Sequence, residues 1–395
     1  MSAAQRGVSA RAGRHAEGAP AATTYDDAVT SPRRVVHYYP CFLDHRSGVT
    51  ESIAAWAEMA ATAFPTEVWA AAPPDGRSHR DAERLHELGI PLRHVPHVGR
   101  SSRTYLLQWW RANLGPGDIV YVHEGWVLSN ILAVRYARRA GATVIAMPHG
   151  VYAPQVVEAG RDVLGMRARL ERHALRGVDA VHLFFPSEAA EVSAVAQADV
   201  PAGVFSNPAP LIEESGRWVG DGDYVAWIGR FVVGHKGLDL LLRGWVELPD
   251  PRPRLVLAGP DYLGGKAEVA ALVSDLGLGD CVTIRDSVTG EEKEQLMVHA
   301  RGYVHSSRWD ACSMVLLEFM TRGTPCLVNS TVHAAATYAQ AGAALTFTSV
   351  TEFPEVVPAL TSDTGLGERA AAYMRAEVSP EALRDPYLAW LGNVG

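Results

Sequence analysis

The chain has 395 residues, 48% of them hydrophobic and 20% charged, and a formal net charge of −8. That length exceeds what one hydrophobic core usually fills, so two domains are expected, and the acidic balance argues against a broad nucleic-acid-binding face. No run approaches the length of about 20 apolar residues that crosses a bilayer, and the cysteines Cys41, Cys281, Cys312 and Cys326 contain no Cys-x-x-Cys pair, a pattern of cytosolic thiols rather than of disulfides or a metal site.

Residues 1–32 are rich in Ala, Gly, Arg and Ser without an apolar signal-peptide core, and are expected to form a disordered tail. From there short apolar runs alternate with amphipathic stretches. Strands are predicted at 35–39, 67–72, 118–124, 143–149 and 180–185, separated by helical patterns such as TESIAAWAEMAATAF and LSNILAVRYARRAG. Nearly continuous β-branched strands alternating with helices predict an α/β, doubly wound parallel sheet. Pro, Gly and acidic residues at 205–222 mark an interdomain linker. A second series of strands follows at 224–230, 254–260, 281–286, 302–307, 325–329 and 344–347, so the domains are expected at 33–208 and 209–365, with helices over 366–395. Two such domains facing each other create a cleft where both sheets present their strand C-termini.

The second half carries the denser signal. In WIGRFVVGHKGLDLLL, Arg230 follows a strand and Lys236 opens the next helix, a setting suited to clamping a diphosphate. In SSRWDACSMVLLEFMTRGTPCLV, Asp310 falls in the loop after a strand and Glu318 on the following helix. Ser313 is the expected N-cap, and backbone N–H groups around Cys312, Ser313 and Met314 are suited to a phosphate. Glu318 lies in the apolar stretch VLLEFM, where an unpartnered charge is costly and a carboxylate can accept from two ribose hydroxyls. In the first half, Gly48 lies between the first strand and a helix, where backbone can approach a phosphate or sugar, and His123 and His149 end adjacent strands at the cleft edge.

The order GR-x5-KG, LVLAGP, a variant of E-x7-E, and EFM-x-x-G-x-P resembles the retaining family 4 glycosyltransferases of the GT-B fold, over roughly 224–330. The resemblance implies two Rossmann-like domains, a donor diphosphate held by Arg230 and Lys236, a ribose held by Glu318, and a donor sugar faced by Asp310. VHEGW and PHGVY resemble the acceptor domains of that family, which implies that His123 contacts the transferred sugar and that His149 and Gly150 shape the reaction centre. It further implies that the C-terminal helices pack back on the first domain, that no metal or other cofactor is needed, and that the leaving phosphate takes the acceptor's proton. The family pattern has Glu followed by glycines where this chain has Asp310-Ala311-Cys312-Ser313. That departure bears on the donor sugar and on turnover.

The expected partners are therefore an NDP-sugar donor and a hydroxyl acceptor, which is a saccharide, a lipid-linked compound or a natural-product aglycone. The setting is the cytoplasm or the inner face of the membrane. Two other readings share the pocket: a catalytically inactive NDP-sugar-binding partner subunit, and a GT-B-fold NDP-sugar epimerase. The arginine-rich segment 161–177 reads as a solvated helix face with a membrane-docking alternative. His94 and His97 lack a third ligand for a metal, and Trp109-Trp110 reads as packing. Neither G-x-x-x-x-G-K-[ST] nor G-x-S-x-G occurs.

Overall fold

The computed structural model describes residues 33–44, 46–72, 78–99, 106–108, 113–160 and 165–395. The expected tail at 1–32 and the Trp109-Trp110 pair lie outside the described residues.

The first sheet is built in the order β1 (Val35–Tyr38), α1 (Gly48–Ala61), β2 (Thr66–Ala70), α2 (Arg80–Glu87), β3 (Leu92–His94), a small hairpin of β4 (His97–Val98) and β5 (Leu106–Leu107), β6 (Ile119–His123), α3 (Leu128–Arg139), β7 (Thr143–Met147), α4 (Pro154–Ala159), α5 (Met166–Leu175), β8 (Ala180–Leu183), α6 (Glu188–Ala196) and β9 (Ala202–Val204). Its spatial order is β3-β2-β1-β6-β7-β8-β9, all parallel. Strands β1, β6 and β8 are buried along their whole length because helices cover both faces, although each carries one histidine. The sequence pattern misses β3 and β9, the two edge strands. Their sequences, LRH and AGV, are largely exposed at the sheet margin and need no continuous apolar run.

The second sheet comprises β10 (Tyr224–Ile228), α7 (Val233–Lys236), α8 (Leu238–Val246), β11 (Arg254–Ala258), α9 (Gly265–Asp275), β12 (Val282–Arg285), α10 (Gly290–His299), β13 (Gly302–His305), α11 (Met314–Arg322), β14 (Cys326–Asn329), α12 (His333–Gln340) and β15 (Leu345–Phe347), followed by α13 (Phe353–Ser362). Its order is β12-β11-β10-β13-β14-β15, again all parallel. In each sheet the strand order reverses beside the first strand, at β1/β6 and at β10/β13. Ligands of doubly wound sheets bind at such reversals.

The chain crosses between the sheets twice. The outward crossing, 205–213, has no regular secondary structure. The return runs through α14 (Thr364–Tyr373) and a π turn at Met374–Val378 into α15 (Pro380–Asn393). The two crossings are bonded to each other through Ala209 N–H and the Val378 carbonyl, 2.8 Å. Helix α15 lies on the first sheet, with Tyr387 against Trp56 at 4.6 Å and Trp390 against Phe205 at 5.4 Å. Arg33 donates to the carbonyls of Gly392 and Val394, each at 2.9 Å, and so ties β1 to the C-terminal end.

The described arginines of the 161–177 segment divide between solvent and the protein: Arg169 and Arg176 are exposed, Arg167 and Arg172 half-buried. Arg167 stacks over the Trp126 ring at 4.4 Å, Arg176 donates to the carbonyls of Ala196 and Gln197, and Arg172 Nε is buried. His97 likewise has a structural role, with Nε2 2.9 Å from the Tyr38 hydroxyl and Nδ1 2.5 Å from the Val95 carbonyl.

At the outward crossing, buried Asn207 accepts through Oδ1 from Ser52 Oγ at 2.5 Å and Trp56 Nε1 at 3.2 Å, both on α1, and donates through Nδ2 to the Cys312 carbonyl at 3.4 Å. Asn207→Ala strands two buried donors, each worth roughly 1–3 kcal/mol. It is expected to lower unfolding free energy by at least about 2 kcal/mol in urea titration; a change within experimental error would show that water replaces the amide.

Candidate functional site

The donor-side residues gather where β10 and β13 end. After β10 the chain passes Gly229-Arg230 and makes one helical turn, α7, whose last residue is Lys236. The expectation that Lys236 opens the long helix is corrected: Gly237, with φ of 60°, separates α7 from α8, and a Cβ there would lie 2.0 Å from the Ser306 carbonyl oxygen. Only glycine permits this approach, which brings Lys236 onto the loop after β13. Its Nζ lies 2.8 Å from Asp310 Oδ2, and His305 Nε2 lies 3.7 Å from the same oxygen. Burial alone would raise the Asp310 carboxyl, but Lys236, His305 and His235 outweigh it and hold the group at about 2. The loop is pinned further by Arg308, bidentate on Asp239 at 2.7 Å to each oxygen, and by His235, stacked on Trp309 at 4.5 Å. Arg230 stands over the Tyr262 ring at 5.2 Å.

Helix α11 starts as its sequence requires. Ser313 is the N-cap and accepts from Leu316 N–H at 3.3 Å, which leaves the first-turn N–H groups of Met314 and Val315 without a carbonyl one turn earlier. Cys312 is buried. Glu318, one turn further in, is not the unpartnered carboxylate that its apolar neighbours suggest: Lys293 Nζ on α10 donates to its Oε1 at 2.7 Å. Both acidic positions thus carry a lysine.

On the facing side, Gly48 is the first residue of α1, and nothing lies within 4 Å of where its Cβ would be. Ser47 caps the helix through Thr50 in a capping box. Arg46 pairs with Asp81 at 3.2 Å and Glu51 at 3.4 Å, and its guanidinium also feels the Glu318 carboxylate across the cleft. His123 and His149 are hydrogen-bonded to each other at 2.9 Å, and His123 in turn to His37 of β1 at 3.0 Å. Gly150, with φ of 73°, meets the second half directly: a Cβ there would lie 2.8 Å from Ala311 Cβ.

The structure therefore brings Arg230, Lys236, Asp310 and the start of α11 to one sheet reversal, and Gly48, His123 and His149 to the other. Gly150 touches Ala311 at the join. The sequence reading lacks Lys293, Arg46, Asn207 and His37. Lys293 sits in the charged run GEEKEQL and Arg46 in HRSG, where neither spacing nor residue type distinguishes a cleft cation from a solvated one. The triplet Asp221-Gly222-Asp223, which has metal-binding spacing, lies before β10, at the strand end opposite the site, and its carboxylates face His299 and Arg254. Among the described residues, no group of three His, Cys, Asp or Glu side chains is arranged to hold a metal ion.

Residues 222–363 match the family model described as Glycosyl transferases group 1. The fold is that of GT-B glycosyltransferase structures. HepE from Anabaena, solved with UDP and glucose, superposes with a TM-score of 0.71 at 14% identity, covering 91% of this chain and 99% of that one. A sucrose-phosphate synthase from Thermosynechococcus elongatus gives 0.70 at 16% identity, over 91% and 98%. WaaG, a glycosyltransferase involved in lipopolysaccharide biosynthesis, gives 0.59 at 16% identity, over 89% and 98%. No curated protein matches the chain by sequence.

The Lys236–Asp310 pair has a pH signature. Because the folded-state carboxyl lies below its ordinary value, Asp310 contributes stability above about pH 4 that is lost as pH falls toward 2. Lys236→Met leaves a largely buried carboxylate without its nearest cation, at a cost of about 3 kcal/mol near pH 7. That cost is expected to shrink on acidification, as Asp310 takes up a proton. Denaturant titrations of both proteins at neutral and mildly acidic pH check this; an equal loss at both would mean that packing of the lysine stem, not its charge, is what matters.

Proposed function

We propose that the protein is a retaining glycosyltransferase, which moves a sugar from a nucleoside-diphosphate sugar held by the second sheet to a hydroxyl acceptor held by the first. The observation that carries this reading is the pairing of Asp310 with Lys236 and of Glu318 with Lys293 along one segment, from the end of β13 into α11, beside Arg230. The group 1 domain match spans the same residues. A cluster of cations, first-turn N–H groups and two carboxylates suits a ligand that is anionic at one end and polyhydroxylated at the other.

In this mechanism Arg230, Lys236 and the N–H groups of Met314 and Val315 bind the diphosphate. The bond between the anomeric carbon and the diphosphate oxygen breaks, and these donors stabilise the charge that builds on the departing group. The acceptor oxygen bonds to the anomeric carbon on the same face, and its proton passes to the leaving phosphate oxygen. Glu318 takes ribose hydroxyls and Asp310 faces the sugar. Gly48 borders the cleft from the other side, His123 lies buried behind His149 rather than against the sugar, and His149 and Gly150 shape the acceptor side, so that positioning supplies much of the acceleration. No metal enters this scheme, in which cationic side chains do the work of charge neutralisation. The setting we assign is the cytoplasm or the inner face of the membrane, from the scattered spacing of the cysteines in the sequence. Met166 and Leu170, exposed on α5, are the surface we assign to a membrane-borne acceptor.

One observation favours the reading as a binding subunit without turnover: Ala311, where the family pattern has glycine, puts its methyl group at the join, where it would meet any side chain added at Gly150. The two readings part on donor consumption.

A thermal-shift panel of UDP-, GDP- and dTDP-sugars is expected to show a selective rise in melting temperature, equivalent to about 2.7 kcal/mol at a hundred times Kd. Glu318→Ala is expected to fold and lose the shift. No shift from any donor would remove the nucleotide-sugar assignment. With donor and acceptor in hand, Arg230→Ala is expected to lower kcat by roughly a hundredfold; donor that binds but is never consumed would select the binding subunit.

A further inference from the structure

The first sheet holds a feature that the scheme above does not use in full. His37 on β1, His123 on β6 and His149 beyond β7 form a continuous row, with His37 Nδ1 3.0 Å from His123 Nε2 and His123 Nδ1 2.9 Å from His149 Nε2. Successive rings lie 5.2 Å apart, and Tyr121 stacks on His37 at 4.8 Å. His37 and His123 are fully buried, while His149 is partly exposed. The row therefore has a closed end inside the sheet and an open end at the join, where the neighbour of His149, Gly150, meets the neighbour of Asp310, Ala311.

Among the described residues, the hydrogen-bond partners of these imidazoles within the row are one another, and no carboxylate is bonded to them. Burial lowers all three, His37 and His149 to about 3, so the row is neutral at physiological pH. A neutral imidazole has one N–H and one bare nitrogen. Two hydrogen bonds in series then allow only two arrangements: every ring protonated at Nδ1, or every ring at Nε2. His37 Nε2 is buried with no partner among the described residues, so one arrangement leaves a bare lone pair there and the other an N–H without an acceptor. Orphaned N–H groups are the rarer defect in folded interiors.

We propose that His37 and His123 are positioning residues which hold the row in its all-Nδ1–H form, so that His149 presents a neutral N–H donor to an oxygen of the hydroxyl-bearing ligand at the join. His149 thereby complements Asp310, which only accepts, and it does not serve as a base. The identity of the ligand rests on the sugar-transfer reading; the direction of the row does not.

The experiment is a long-range proton–nitrogen correlation spectrum of the full chain labelled with 15N-histidine, in which His149→Gln and His37→Leu assign the signals. Nδ1–H with bare Nε2 is expected at all three residues, unchanged from about pH 5.5 to 8. Nε2–H or an imidazolium at His149 would overturn the proposal. In His37→Leu, His149 is expected to show a mixture of both tautomers; an unchanged Nδ1–H would remove His37 from its role. Should that variant fail to fold, the unsubstituted protein's spectrum still decides the direction. Addition of a donor that stabilises the protein is expected to shift the His149 Nδ1–H signal. A bound donor that leaves it unmoved overturns the recognition step, whereas the absence of any donor binding overturns the sugar-transfer reading and leaves the tautomers as measured. As a functional check, His149→Asn, which keeps a donor, is expected to retain activity within about tenfold, and His149→Asp to fall well below it.

Discussion

One buried amide side chain bonds to both halves of the molecule at once, beside the cleft and within a core that both halves share. Asn207 accepts from Ser52 and Trp56 on α1 while donating to the Cys312 carbonyl just before α11. Both helices begin at the site: α1 at Gly48 and α11 at Met314. An aspartate could accept but not donate, and a leucine could do neither, whereas an amide does both. Through this residue the backbone entering α11 is referenced to the body of α1, and the loop carrying Asp310 and Ala311 is set against Gly150.

Around that frame the charged groups are arranged in compensated pairs. Asp310 and Glu318 each carry a lysine, and Arg46 is shared between Asp81 and Glu51. The cations are thus held in place and partly desolvated before an anion arrives, so no side chain has to be drawn from solvent and ordered at that moment. The carboxylates retain further lone pairs for hydroxyl groups. A pocket so built favours a ligand with both kinds of group over a simple anion, which would meet the carboxylates as well as the lysines.

The fold class was legible because parallel sheets covered on both faces leave a pattern of apolar runs that survives in one dimension. β3 and β9 escaped because edge strands are half solvated and therefore mixed in composition. At the site, Arg230 with Lys236, and Asp310 with Ser313 and Glu318, could be read because they fall in two short stretches, each with its own local spacing. Lys293 and Asn207 could not: each acts on a residue 25 or more positions away, and a lone lysine or asparagine has no local pattern. His37 shows the same limit. A histidine inside an apolar strand reads as core, and only the pairing of β1 with β6 reveals that it continues a row begun at the cleft. Lys236 was placed correctly in sequence but not in structure, because one glycine with positive φ turned a continuous helical pattern into two helices.

The double crossing between the sheets has a mechanical meaning. Bodies joined by a single strand can swing, twist and separate independently. Here the irregular segment at 205–213 and the π turn at Met374–Val378 run between the same two bodies and are bonded to each other at Ala209 and Val378. Two linked tethers resist twisting and separation and leave bending about their common line as the soft direction. Any opening of the cleft would then follow one path, and each closure would return the same side chains to the same places.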